Sequence, residues 1–225
     1  MKPFILLFGS VLLLTGCTDR STPVIDSYQG NFEIVGEEKS QMVQNVSEQL
    51  FETSDRSNDN ASNIEEFLEH DEDRTTISVN SGRYKLVPNG SGNVYVSDEN
   101  NDIIFSGVLG SRYGVPTMTL DIQDTDNILF DGLASLSIQP VETEMKTELG
   151  AGIWHVGKDI QAGTYEISSP EGLGYVHIYD LNEEPEVYEL LTNEMSSNTI
   201  TINLEKGEVV KVQKLPVILL NPVES

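Results

Sequence analysis

From Thr76 onward the chain is written in short runs that alternate apolar and polar residues: YKLVP, NVYVSD, TMTLDI, YEIS, YVHIYD, TITINL and EVVKVQ. A period of two puts every second side chain on one face of an extended backbone, and these runs favour β-branched and aromatic residues. Gly, Asn, Asp and Pro separate them, and no stretch of this region sustains a helical period. The pattern predicts a mainly β fold built from antiparallel strands.

The same region repeats itself. Laid over AGTYEISSPEGLGYVHIYDLNE, the segment SGRYKLVPNGSGNVYVSDENN matches Gly82 and Tyr84 to Gly163 and Tyr165. The following turn introduces a slip by a single position. Beyond it, Val94, Val96 and Asp98 fall on Val176, Ile178 and Asp180. At the same offset Thr117 and Thr119 fall on Thr199 and Thr201, and Leu133, Pro140 and Val141 fall on Leu215, Pro222 and Val223. The reading is a tandem pair of β modules, 76–141 and 152–223, joined by an acidic linker at 142–151. Each is predicted to be a small antiparallel sandwich or barrel-like unit. A unit of roughly 65 residues without disulfides is marginal as an independent core, so size favours contact between the copies. End-to-end and face-to-face arrangements both satisfy the pattern.

The stretch VGKDIQAGTYEIS (156–168) tests whether a Gly-Lys pair marks a phosphate loop. Such a loop needs four residues between its first Gly and a Gly-Lys-Ser/Thr, with a helix after it. Here Asp159 follows Lys158, a strand-like run follows, and the first copy has no Lys-Asp pair. What both copies share is Gly-x-Tyr, read as a turn glycine followed by an aromatic on a strand. WHVGKDIQAGTYEI also resembles a motif, V-G-x-D-I-x-A-G-x-Y, of secreted and lipid-anchored proteins of Gram-positive bacteria. The resemblance is confined to this stretch, 154–167, and implies extracellular β structure without catalytic residues.

The N-terminus, MKPFILLFGSVLLLTGC, has one cation, Lys2, before an apolar run from Phe4 to Leu14. That run is short of the roughly 20 residues of a membrane-spanning helix and fits a secretory signal, 1–16. Leu14-Thr15-Gly16-Cys17 resembles the lipobox of bacterial lipoproteins, which implies diacylglycerol on Cys17, cleavage before it, and a membrane-anchored protein on the extracytoplasmic face. Cys17 is the only cysteine, so no intrachain disulfide can form.

The formal net charge of −24 excludes the basic surface on which nucleic-acid binding rests. From Thr18 to Thr76 there are 15 Asp or Glu against 4 Lys or Arg, with many Ser and Asn. This composition predicts that 17–75 is a largely disordered acidic tether. Two helical islands are expected in it: one through Met42, Val43, Val46 and Leu50, the other after a capping box of Ser62 and Glu65.

Catalytic sets are sparse. His70, His155 and His177 are the only histidines, and neither a G-x-S-x-G elbow nor H-E-x-x-H occurs. His177, alternating with Val176 and Ile178, is expected to face solvent or a neighbouring strand. Acidic turns at 97–102 and 121–127 carry oxygens of the kind Ca²⁺ takes, but not in EF-hand spacing, so they read as solvated turns. Neither a metal nor a cofactor is therefore assigned. Binding candidates are the aromatics Tyr95, Phe105, Tyr113, Trp154, Tyr175, Tyr179 and Tyr188, with Trp154 leaning towards the core. The expected function is a non-enzymatic binding or envelope-interaction role towards a protein or glycan. A secreted hydrolase or an accessory subunit of an envelope enzyme or transporter is the competing class.

Overall fold

The computed structural model describes residues 28–52, 54–69 and 73–223. An N-terminal arm holds β1 (Tyr28–Gln29), β2 (Glu33–Ile34), α1 (Gly36–Val43) and a 3-10 turn at Glu48–Phe51. The first half of the body follows with β3 (Ile64–Phe67), β4 (Arg74–Ile77), β5 (Gly82–Ser97), β6 (Ile103–Gly110), β7 (Met118–Ile122) and β8 (Asn127–Pro140). The second half holds β9 (Glu148–His155), β10 (Gly163–Ser168), β11 (Gly172–Tyr179), β12 (Glu186–Thr192), β13 (Ile200–Leu204) and β14 (Val209–Pro222). The fold is mainly β, as the alternation predicts.

Pairings of the first half recur at matching positions of the second. Tyr84 of β5 pairs with Leu120 of β7 and Pro140 of β8. Tyr165 of β10 pairs with Ile202 of β13 and Pro222 of β14. Val94 opposite Phe130 is matched by Val176 opposite Val212. Strand β5 corresponds to β10 and β11 together, with residues 169–171 between them outside any strand. Both Tyr84 and Tyr165 donate their hydroxyls to the carbonyl four residues upstream, Asn80 at 2.8 Å and Gln161 at 2.7 Å. The shared Tyr thus pins the incoming loop to its strand.

The expectation of two small sandwiches or barrels is replaced by one continuous sheet of 14 strands. The halves join where β7 runs parallel to β9, with Met118 opposite Ala151 and Thr119 opposite Gly152. β9 starts at Glu148, so the predicted linker 142–151 ends inside a strand. The halves also share a core, because Ala151, Ile153, Tyr179 and Val209 pack among the buried residues of the first half. A second core gathers Trp154, Tyr165, Ile167, Val176 and Leu190. This sharing answers the size problem of each half.

Gly152 sits at the join with φ 141°, and a β-carbon there would lie 1.9 Å from the carbonyl oxygen of Thr119. The backbone of the neighbouring strand cannot yield as a flexible side chain could. Gly152→Ala is expected to cost about 1–3 kcal/mol by overpacking, read as a lower urea midpoint. An unchanged midpoint would show that β7 and β9 are not held at this spacing.

Residues 28–69 correct the tether reading. Ile34 and Leu50 are 0% and 3% exposed. Glu33 pairs with Tyr188, extending β12, while Asn31 exchanges two hydrogen bonds with the backbone of Thr201. Ser47 donates to Asp98 at 2.6 Å, and Gln49 donates to both oxygens of Asp126. The arm therefore straps both halves. Leu50 belongs to the first-half core, and Val43, Val46, Phe51, Ala61, Ile64 and Leu68 pack against it, which a composition averaged over 17–75 conceals. The helix lies at Gly36–Val43 and not over 42–50, and the capping-box segment is strand β3, because the free edge of β8 offers its backbone partners. Gly82, read as a turn glycine, serves close approach instead: a β-carbon there would meet Asn58 Oδ1 of the arm at 2.9 Å.

Candidate functional site

Two features occupy the seam between the halves, and they differ in access to solvent. The first is a buried charge cluster. Asp159 lies in the tight turn after β9, where its Oδ2 accepts from the backbone N–H of His155 at 2.8 Å. Its side chain is 1% exposed. Arg56 of the arm donates to Asp121 from Nε at 2.8 Å and to Asp159 from Nη1 at 2.9 Å. Arg83 of β5 donates to Asp121 at 2.8 Å and lies 3.3 Å from Asp159. Its guanidinium is 4.9 Å from the ring centroid of Trp154. Two cations and two anions from three parts of the chain thus neutralise one another out of water. His155 lies 3.5 Å from Asp121, but burial outweighs that neighbour and lowers its pKa to about 4.

This cluster contains a histidine-aspartate pair, but the cavity touching His155 and Asp121 holds only ≈ 10 Å³. That is about the room of one water. Its geometry is that of a lock between arm, first half and second half. Lys158, beside it, lies nearer the surface. The glycine-lysine stretch therefore matters through Asp159, which its sequence context gives no reason to select.

Across the seam, Lys211 of β14 is 4% exposed, reaches the carbonyl of Ile104 at 3.4 Å and faces the ring of Phe105 at 5.3 Å. Burial lowers its pKa to about 8. His177 is fully buried beside it, opposite Lys211 on the neighbouring strand and not facing solvent, and stacks with Tyr179 at 6.0 Å between centroids. Burial, with Lys211 adding to it, holds the imidazole neutral, with a pKa of about 3. Both faces of β11 are covered here, since Val176 and Ile178 on one and His177 and Tyr179 on the other are all buried. His70 lies outside the described residues.

The second feature is open. A groove of ≈ 650 Å³ is lined by Tyr95, Phe105, Val108, Tyr113, Gln213 and Lys214, among others. Tyr95 and Tyr113 are 37% and 64% exposed, while Phe105 forms the buried floor. Its volume lies within the roughly 300–1,000 Å³ of small-molecule sites. Three of the seven candidate aromatics meet here. Tyr175 stands nearby beneath Lys214, and Trp154, Tyr179 and Tyr188 belong to the interior. Lys214 has φ 62°, as its counterpart Gly132 has φ 70°. A lysine held in a conformation that suits glycine is a strained position at the rim of a groove.

The two acidic turns come together around the arm. Asp98 accepts from Ser47 and from the N–H groups of Asn100 and Asp102; Asp126 accepts from Gln49 and the N–H of Gln123. These carboxylates cap turns and hold the strap. Among the described residues, no group of three or more His, Cys, Asp or Glu side chains is placed to hold a metal.

No protein-family model matches the chain, and no curated protein sequence is significantly similar to it. The functional reading therefore rests on the site itself.

Proposed function

We propose that this chain is a lipid-anchored binding protein of the extracytoplasmic membrane face, without enzymatic activity, whose contact site is the groove at Tyr95, Tyr113 and Lys214. The groove carries the reading: it unites exposed aromatic faces with a cation in a chain of net charge −24. The recurring ladder pairings are read as duplication of one β unit, with the groove formed between its copies. The lipobox ending at Cys17 supports the anchor; it lies outside the described residues. The described arm packs on the body from Tyr28, and ten positions of sequence lie between it and Cys17. A segment of that length reaches about 35 Å at most, so the body works close to the bilayer and not at the end of a long stalk.

Membrane retention tests the anchor. In fractionated cells, Cys17→Ser should move the protein from the membrane to the medium or leave the signal uncut, as read by immunoblot and mature mass. Unchanged retention at the mature mass would overturn it.

A further inference from the structure

The groove's chemistry narrows what it can take; this step rests on the binding reading above. The edge of β6 that borders it has its carbonyls already engaged. Ile104 O accepts from Lys211 at 3.4 Å, Ser106 O from Gln213 at 3.3 Å, and Val108 O from the backbone of Val115 at 2.9 Å. A peptide that recognises a sheet by adding a strand needs those acceptors. What remains available are ring faces and side-chain charges. Exposed tyrosines present a flat apolar face with a polar rim, which suits the C–H face of a pyranose whose hydroxyls stay hydrated.

Charge supplies the second constraint. Lys214 also lines an adjoining recess of ≈ 450 Å³ together with Arg112, Pro116 and Glu171. Lys214 lies 5.1 Å from the ring of Tyr175, and Arg112 lies 5.3 Å from that of Tyr113. Among the described residues, neither cation has a carboxylate partner within 4.0 Å. Other cations are likewise without a carboxylate; what distinguishes these two, in a chain with 37 acidic residues, is that both line one recess and each lies over a tyrosine ring. A single carboxylate in the groove feels them within a Debye length of about 8 Å. A densely charged polymer would instead meet the repulsion of the whole acidic surface.

We infer that the groove binds a saccharide bearing an isolated carboxylate, with the pyranose faces on Tyr95 and Tyr113 and the carboxylate between Lys214 and Arg112. Calorimetric titration of the full chain in detergent tests this with two matched probes. One is the disaccharide glucuronic acid–N-acetylglucosamine; the other is its glucose counterpart, in which an alcohol replaces the carboxylate. The acid should bind about fivefold more tightly, the upper end of what one exposed charge contact supplies. Lys214→Gly, which takes the residue found at the matching turn, combined with Arg112→Gln should erase that preference. Tyr113→Ala should weaken both. Equal binding of the two sugars, or a preference that survives Lys214→Gly together with Arg112→Gln, overturns the carboxylate assignment and leaves the groove as a neutral glycan site. If neither sugar binds, or Tyr113→Ala changes nothing, the groove itself loses its role. Displacement of the sugar by an acetylated tripeptide with a free C-terminus, binding as tightly, would overturn the saccharide class.

Discussion

Arg83→Met is expected to destabilise the protein by about 3–5 kcal/mol, the cost of leaving buried charge without its partner. Arg83 is 1% exposed and bonds Asp121 at 2.8 Å, approaches Asp159 at 3.3 Å and donates to the carbonyl of Ile153 at 3.2 Å. Its loss leaves two carboxylates sharing the single guanidinium of Arg56. The intact cluster need not stabilise the fold more than an apolar one of the same shape would, since burying four charges has its own desolvation cost. The asymmetry makes the test specific. Arg83→Met combined with Asp121→Leu leaves the neutral pair Arg56–Asp159 and should recover much of the loss. Urea unfolding followed by the fluorescence of Trp154, 4.9 Å from the guanidinium, reads both variants. A single variant within about 0.5 kcal/mol of the parent, or a double variant no better than the single, would show that the charges are not buried together.

Acidification is expected to unfold the protein steeply below pH 6.5. His155 and His177 have pKa values of about 4 and about 3 in the folded chain, against 6.5 when unfolded. Between those values the unfolded chain binds more protons, so stability falls as pH falls through this window and is fully present above it. Each histidine costs about 1.4 kcal/mol per pH unit there, or about 5 kcal/mol for the pair by pH 4.5. Asp126 and Glu208, whose carboxyls burial pushes up, gain protons on folding and offset part of this. The groups facing His155 are Asp121, Asp159, Arg56 and Arg83, and the charge beside His177 is Lys211. His177→Phe keeps a ring against Tyr179 and should halve the slope of stability against pH, measured by urea titration from pH 7 to 4.5. A flat profile in the parent, or an equal slope in the variant, would mean that the imidazoles remain hydrated.

Much of the β body is legible from residue order alone. Alternation is a local property, and a strand with one buried face records it directly, as β13 does with Ile200, Ile202 and Leu204 buried between exposed Thr201 and Asn203. The echo from Tyr84 to Tyr165 and from Pro140 to Pro222 likewise reappears in the ladders, because register follows from which side chains must face inward. The binding candidates Tyr95, Phe105 and Tyr113 could be named for their residue type. Only their meeting required the fold.

The charge lock is not legible in the same way, and neither is the arm. Arg56 lies in a stretch of Ser, Asn and Asp that reads as solvated chain, and its partners Asp121 and Asp159 stand 65 and 103 residues away. A charged residue carries no local mark of burial, since its place inside depends on a counter-charge that only the folded chain delivers. Asp159 escapes notice for the same reason, because its neighbours present it as one half of an unconvincing phosphate loop. Residue order alone thus determined the β class and carried the expectations of a repeated module and of a lipid anchor at Cys17. Tertiary structure decided that the two halves share one sheet, that an acidic arm straps them, and that Asp159 is enclosed while Lys214 is left free, because each outcome depends on contacts between residues far apart in the chain.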